Sequence, residues 1–156
     1  MSDPKTSMQQ SRVFSGFSDT GLQILAGIAQ REAVPAGARV FEESQESAAL
    51  YLIQSGTVRV VARDSAGAEL TLATLGVGEH LGGLSLLRGG KHVVSAIADT
   101  DVELWRFDQK AFSKLQREKP QACVKLMINI VEDLGQRLDG ASPLFREFLT
   151  WRLGRS

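Results

Sequence analysis

Glycine is concentrated in one stretch of the chain, in a pattern that could bind an anion. Four of the eight residues from Gly76 to Gly83 are glycines, and a short apolar run at residues 84–87 follows them. Glycines allow backbone N–H groups to converge on a negative group, and the first turn of a following helix adds unpaired donors. Because glycine-rich runs also form plain turns, the pattern alone leaves both interpretations open.

The residues before and after this stretch are predicted to form short antiparallel strands. Residues 50–55 form an apolar run, residues 57–63 and 69–75 largely alternate, and the turn signal Asp64-Ser65-Ala66-Gly67 separates the last two. Two more strand-like runs follow at residues 93–98 and 102–107. Short strands joined by glycine turns are typical of a small barrel or sandwich.

A helix is predicted ahead of the strands. Ser18 is a capping residue, and Leu22, Leu25 and Ile28 follow it at helical spacing, which extends this helix to about residue 31. After the strands, Asp108 can cap a further helix, because its carboxylate can accept from the first backbone N–H groups.

The glycine-rich stretch resembles the phosphate-binding cassette of the cyclic nucleotide-binding domains. In that family the cassette reads roughly Phe-Gly-Glu-Leu-Ala-Leu-Leu, a short loop, Pro-Arg-Ala-Ala-Thr-Val and then Thr-Asp-Val-x-Leu-Trp. Residues 81–87, the loop 88–91, and residues 92–96 and 100–105 follow this frame without a gap. Residues 35–41, 50–58 and 75–82 also match the core of the family's β-roll.

The resemblance implies an α+β fold, an antiparallel β-roll (jelly-roll-like, a double-stranded β-helix) flanked by an N-terminal helix and C-terminal helices. We expect a flexible polar segment over 1–13, a cyclic nucleotide-binding-like domain over 14–140, and a helical tail over 141–156. Ser44 and Gln45 replace a Gly-Asp pair of the family, so this loop is expected to turn differently.

Two residues that hold the nucleotide in the family are replaced in this chain. Gly83 stands where a glutamate accepts a hydrogen bond from the ribose 2′-OH, and His92 stands where an arginine pairs with the cyclic phosphate. Arginine donates two parallel charge-assisted bonds, whereas histidine donates one and is charged only below about pH 6.5. Losing each anchor costs about 1.5–3 kcal/mol, or together roughly 10²- to 10⁴-fold in affinity. We therefore expect the binding of cyclic AMP or cyclic GMP to be weak or lost.

Other residues near the cassette leave alternatives open. Lys91 or Arg88 could supply a positive charge, although a loop lysine is usually solvated, and Glu79 precedes the turn and is expected to point elsewhere. Two bulky valines occupy positions that are small in the family, and one serine keeps a hydroxyl that often lies near the base. The degenerate ligand site is expected to comprise Gly82, Gly83, Leu84, Ser85, His92, Val93, Val94 and Ser95.

An apolar stripe on the long C-terminal helix, which Pro120 can begin, is predicted from the resemblance to form a dimer interface. Its members are Cys123, Met127, Ile130, Leu134 and Leu138. The same spacing is typical of a helix that packs on its own core. Beyond it, Phe145, Phe148 and Trp151 are expected to cover either the chain's own barrel or a protein partner.

The composition excludes several classes of function. The 156 residues carry 18 basic and 18 acidic side chains, and this balance argues against a nucleic-acid partner. No apolar run is long enough to span a bilayer, the first residues lack a signal peptide, and one cysteine is present, so we expect a cytoplasmic protein. The two histidines lack metal-site spacing, and no catalytic grouping is evident. We expect a non-enzymatic, homodimeric sensor without a cofactor, responding to a small anion or a protein. The alternatives are a genuine cyclic nucleotide-binding signalling protein and a protein-interaction scaffold that uses the C-terminal tail.

Overall fold

In the computed structural model, which describes residues 3–46, 48–89, 91–92 and 94–140, eight strands form two sheets and helices pack on one of them. The strands are β1 (Ala29–Val34), β2 (Arg39–Phe41), β3 (Ala49–Ser55), β4 (Val58–Arg63), β5 (Glu69–Leu75), β6 (His80–Leu81), β7 (Ser95–Ala98) and β8 (Val102–Asp108). The helices are α1 (Pro4–Gln9), α2 (Asp19–Ala26), α3 (Gly83–Arg88), α4 (Gln109–Glu118) and α5 (Pro120–Gly140), with a 3₁₀ turn at Arg12–Phe14.

The two sheets are antiparallel, with the strand orders β1-β8-β3-β6 and β2-β7-β4-β5. Strand β3 lies between β8 and β6 and contains no polar residue until its end, because both of its faces are covered. Tyr51 and Ile53 point into an inner core between the sheets, whereas Leu50 and Leu52 belong to a second core beneath the helices. The α+β antiparallel architecture predicted from the sequence is confirmed.

The helix caps predicted from the sequence are present. Ser18 Oγ accepts a hydrogen bond from the backbone N–H of Gly21 at 3.0 Å. The Asp108 carboxylate accepts from the N–H groups of Lys110 and Ala111 at 3.1 and 3.3 Å. These side chains satisfy donors that have no partner within the first helical turn.

The first helix is shorter than its spacing predicted. Helix α2 ends at Ala26, and Ala29 already pairs with Phe107 across β1 and β8. Apolar residues at helical spacing can equally occupy one face of a strand, so tertiary pairing decided the boundary. Strand β7 likewise begins at Ser95 rather than at residue 93.

The N-terminal segment is ordered from residue 3, which corrects the prediction of a flexible 1–13. Helix α1 is capped by Asp3, and Met8 and Val13 are completely buried in the core beneath the helices. The Asn129 side chain of α5 donates to the carbonyl oxygens of Val13 and Ser15 at 2.8 and 3.0 Å. A polar segment with two well-placed apolar side chains can therefore be part of the domain.

Helix α5 buries part of the stripe that was predicted to form the dimer interface. Cys123 is 0% exposed and Ile130 is 3% exposed, and both belong to the core beneath the helices, against which Met127 also packs. The dimer prediction is therefore corrected for Cys123 and Ile130, which the chain itself covers, and it stays a prediction for the rest of the stripe. The periodicity indicated that one face of the helix is covered, but it did not show whether the chain's own core or a second copy covers it.

Some predictions lie outside the described residues. These are the tail 141–156 with Phe145, Phe148 and Trp151, the cassette residue Val93, and the side chain of Leu138.

Candidate functional site

The backbone of the cassette follows from its glycines. Gly82 adopts a φ of 81° between β6 and α3, and a Cβ at this position would lie 2.3 Å from the carbonyl oxygen of Ala49 in β3. A side chain is therefore excluded both by the left-handed conformation and by contact with a fixed backbone atom. The cassette keeps its turn and its short helix for reasons that do not involve a ligand.

The position of the missing glutamate is covered by α5. A Cβ on Gly83 would lie 2.9 Å from Cγ2 of Ile130. Ile130 is itself 3% exposed, so a larger side chain at position 83 requires α5 or the isoleucine to move. The glutamate of the family is therefore absent at the position where Ile130 brings α5 close to the cassette.

His92, at the position of the missing arginine, is held as part of the core. Its ring lies 3.8 Å from the ring of Phe41 at an interplanar angle of 13°, and only 2% of the residue is exposed. Nδ1 of His92 and Oγ of Ser85 are hydrogen-bonded at 2.8 Å. Sequence reasoning did not pair this serine and histidine, and their burial separates them from solvent.

The backbone of His92 fixes the loop that follows β2. The N–H of His92 donates to the carbonyl of Gln45 at 3.1 Å, and Ser44 N–H donates to the carbonyl of His92 at 3.0 Å. Ser44 has a φ of 72°, a left-handed conformation that glycine adopts without strain. Ser95 Oγ also accepts from Glu43 N–H at 2.8 Å, so this hydroxyl holds the loop in place.

A cluster at the other end of the site was not predicted from the sequence. The guanidinium of Arg137 donates through Nε to Asp133 Oδ2 at 2.7 Å and through Nη2 to the carbonyl of His80 at 3.3 Å. Nε2 of His80 lies 3.5 Å from the same Asp133 oxygen. We refer to His80, Asp133 and Arg137 as the His80 cluster; it joins strand β6 to helix α5.

The His80 cluster is only partly solvated. The side chains of His80 and Asp133 are 8% and 14% exposed, and that of Arg137 is 30% exposed. Burial and the positive charge of Arg137 lower the pKa of His80 from 6.5 to about 4, although the Asp133 carboxylate acts in the opposite direction. His80 is therefore neutral at pH 7. The i, i+4 spacing of Asp133 and Arg137 was visible in the sequence, but their contact with β6 was not.

A cavity of about 120 Å³, partly open to solvent, lies between the cassette and α5. Six of the residues predicted for the ligand site line it: Gly82, Gly83, Leu84, Ser85, His92 and Val94. Ser95 is directed to the loop after β2 instead. The remaining walls are mainly apolar and include Phe41, Val60, Leu75, Leu81, Ile130 and Leu134.

Neighbouring charged and reactive residues play other roles. Glu79 accepts from the N–H of Gly76 at 2.7 Å, which agrees with the expectation that it points away from the cassette. Burial raises the pKa of the Cys123 thiol, so it behaves as a small apolar side chain in the core. Among the described residues, no three side chains of metal-binding type converge.

Comparison with known proteins identifies the family. The family model of the cyclic nucleotide-binding domain matches residues 31–119, which include both sheets and the cassette. The chain therefore belongs to the cyclic nucleotide-binding domain family, as the motif predicted.

The chain is also similar to a protein and to a crystal structure from Thermus thermophilus. It is 35% identical to the cyclic AMP receptor protein of Thermus thermophilus over 113 residues, which are 72% of this chain and 52% of that protein. The crystal structure of the Thermus thermophilus catabolite activator protein is similar with a TM-score of 0.72 and 33% identity, over 83% of this chain and 59% of that one. The chain thus spans about half the length of the receptor that it matches.

The same domain occurs in a relative of another class. The chain is 30% identical, over 111 residues, to lysophospholipase NTE1 of Chaetomium globosum; the match covers 71% of this chain and 7% of that protein.

Within the described residues, no helix has both the length and the apolarity that crossing a membrane requires.

Proposed function

We propose that this chain is a non-enzymatic regulatory module in which the binding of cyclic nucleotides is weak or lost. The packing of Ile130 on Gly83 supports this proposal most directly, because it removes the space in which the family's carboxylate would meet the ribose. The stacking of His92 on Phe41 supports it at the other anchor, since the imidazole is already committed to a contact within the core.

The size of the cavity agrees with this proposal. Pockets for drug-sized ligands usually measure about 300–1,000 Å³, whereas this cavity measures about 120 Å³. A cyclic nucleotide would therefore require α5 to move, and the contacts of Ile130 and of the His80 cluster would be lost. That requirement adds a cost to the loss of the two anchors.

The regulatory part of the proposal is that an occupant of the cavity changes the position of α5. Ile130, Asp133 and Arg137 all contact the cassette or β6 from this helix. An occupant with different affinities for the two positions of α5 would shift their populations.

Calorimetric titration with cyclic AMP and cyclic GMP at pH 6 and pH 8 tests this proposal. We expect a dissociation constant of about 1 mM or weaker for both nucleotides, given the estimated loss from a micromolar site. Micromolar binding would contradict the proposal. If such binding weakened at pH 8 and disappeared in His92→Ala, His92 would be a working substitute for the arginine, and the alternative of a genuine cyclic nucleotide sensor would stand.

We also propose that the chain dimerises, through the outer face of α5. Val124, Ile128 and Val131 are 46%, 52% and 59% exposed. They are spaced four and three residues apart, and Gly135 follows after four more with open space around it. This is the spacing of a coiled-coil seam, and it lies about 100° around the helix from the stripe that the sequence indicated.

Sedimentation equilibrium tests the dimer. Ile128→Glu places a charge in the seam and is expected to raise the dimer dissociation constant at least about 10-fold, because a buried unpaired charge costs several kcal/mol. Glu132→Gln, an exposed position on the same helix, is the matched control. A monomeric wild type, or a dimer that Ile128→Glu leaves intact, would contradict this interface.

The cytoplasmic location and the absence of a nucleic-acid partner stay predictions from the sequence.

A further inference from the structure

The cavity has the size of a single ring. An engineered apolar cavity of about 150 Å³ binds benzene, and a water molecule occupies about 30 Å³ in the liquid. The volume of about 120 Å³ therefore admits a compact molecule of fewer than about ten heavy atoms, without movement of α5. Most of its wall consists of aliphatic side chains and Phe41, which favour an apolar body.

The charges at the cavity are already paired. Among the described residues that line it, Asp133 is the one carboxylate and Arg137 the one guanidinium, and they bind each other at 2.7 Å. An anion would have to compete with Asp133 for Arg137, and would lose its hydration on entering an apolar space. A neutral molecule has neither cost.

Hydrogen-bonding capacity nevertheless remains at one end. A guanidinium has five N–H donors, and Arg137 uses two of them on described residues, toward Asp133 and the carbonyl of His80. Asp133 lines the cavity and accepts through Oδ2, so its Oδ1 is not used by this ion pair. The His80 cluster thus offers a donor and an acceptor side by side to one polar group.

We propose that the cavity binds a small neutral molecule of about one aromatic ring, with a single hydroxyl or amide group directed at the His80 cluster. The proposal rests on the proposed function, since it assigns the input to the same cavity. It differs from the sequence-based expectation of a small anion, because the structure pairs Arg137 internally.

Phenol and benzoate form a matched pair of probes, with one ring and either a neutral or an anionic group. Two-dimensional NMR titration at pH 7.5 follows the amides of residues 82–87 and of Ile130. We expect phenol to bind with a dissociation constant of about 0.1–10 mM, which is reasonable for seven heavy atoms. Benzoate should bind at least about 10-fold more weakly, because its carboxylate would lose its hydration and would have to compete with Asp133 for Arg137.

Two substitutions on α5 test whether phenol occupies the cavity. Leu134→Phe fills the cavity and is expected to weaken phenol binding at least about 10-fold, since overpacked cores resist extra volume. Glu132→Phe, which adds a similar ring at an exposed position of the same helix outside the proposed dimer seam, should leave binding within about 2-fold of wild type. If Leu134→Phe does not fold, Leu134→Ala enlarges the cavity, and 2-naphthol should then bind more tightly than it binds the wild type.

The outcomes separate the two proposals. Saturable phenol binding that Leu134→Phe abolishes supports the neutral-ligand site. Benzoate binding as tightly as phenol, or phenol binding that neither Leu134 variant alters, overturns it. If neither probe binds and cyclic AMP also fails to bind, the neutral-ligand site fails while the proposed function stands. Micromolar binding of cyclic AMP overturns both.

Discussion

The two ends of the cavity differ in whether their polar side chains form an ion pair. At the cassette end, the position of the family's arginine holds a buried His92, which is stacked on Phe41 and hydrogen-bonded to Ser85. At the other end, α5 supplies Asp133 and Arg137, which bind each other and β6. The ion pair of this site is therefore on the helix rather than in the cassette.

This difference shows that a fold can require the backbone conformation of a binding motif even where the motif's ligand-binding side chains are replaced. Gly82 is required by its positive φ and by the nearby carbonyl of Ala49, whether or not a ligand is bound. Gly83 and His92 have no such constraint from the backbone, and both now contact the chain's own residues. The cassette keeps its frame because the fold needs it, whereas its two anchor positions hold other residues.

The largest expected effect distinguishes the two neighbouring glycines of the cassette. Gly82→Ala should lower the free energy of unfolding by about 3 kcal/mol or more, since it combines a left-handed backbone with contact to a fixed carbonyl oxygen. Gly83→Ala meets the end of the Ile130 side chain, which can shift, and should cost about 1 kcal/mol. Urea unfolding of both variants measures the difference. Equal losses of unfolding free energy would contradict the claim that the fold requires Gly82 but not Gly83.

The next effect concerns the α5 end and pH. The pKa of His80 is about 4 in the folded chain and about 6.5 when unfolded, so the unfolded chain binds a proton first as the pH falls. Stability from His80 is complete above pH 6.5 and is lost toward pH 4. Between pH 7.5 and pH 5.0 this loss should be about 2 kcal/mol.

His80→Gln removes that titration and serves as the comparison. Urea unfolding at the two pH values should show a pH-dependent loss that is smaller in the variant by about 2 kcal/mol. Asp133 and Arg137 remain in both proteins, so the comparison isolates the loss of the imidazole. The same pH dependence in wild type and variant would show that His80 is not held neutral by this cluster.

The smallest effect concerns the loop that His92 fixes. Ser44→Gly should raise the free energy of unfolding by about 0.5–1 kcal/mol, because glycine adopts a positive φ without strain but loses more entropy on folding. Ser44→Ala serves as the control and should not stabilise the chain. Thermal unfolding resolves a change of this size, and a destabilised Ser44→Gly would indicate that the serine side chain holds the loop.

Much of the fold could be predicted because it depends on local signals. The alternation of residues 57–63 and 69–75, and the caps at Ser18 and Asp108, were sufficient to place their elements. The end of α2 could not be placed, because Ala29 fits a helix by spacing and joins a strand only through its pairing with Phe107. Long-range pairing of this kind leaves no mark on a local pattern.

The candidate site could be predicted only in its cassette half. Gly83 and His92 were evident as replacements within a known frame, but their neighbours Ile130 and Phe41 were not. The His80 cluster joins residues 53 and 57 positions apart in the chain, and nothing in the sequence around His80 indicates α5 as its partner. The face of α5 that packs inward could also not be chosen, since apolar residues occur on both of its sides.

The central claim is that α5 occupies the space of the family's ribose-binding carboxylate, and calorimetric titration of cyclic AMP into three variants tests it. Gly83→Glu with His92→Arg restores both anchors, and adding Ile130→Ala makes room for the glutamate, with Glu132→Ala as the control at an exposed position of α5. We expect the triple variant with Ile130→Ala to bind at least about 10-fold more tightly than the double variant, and the triple with Glu132→Ala to match the double. Micromolar binding of cyclic AMP by the double variant, without the Ile130→Ala substitution, would contradict the claim.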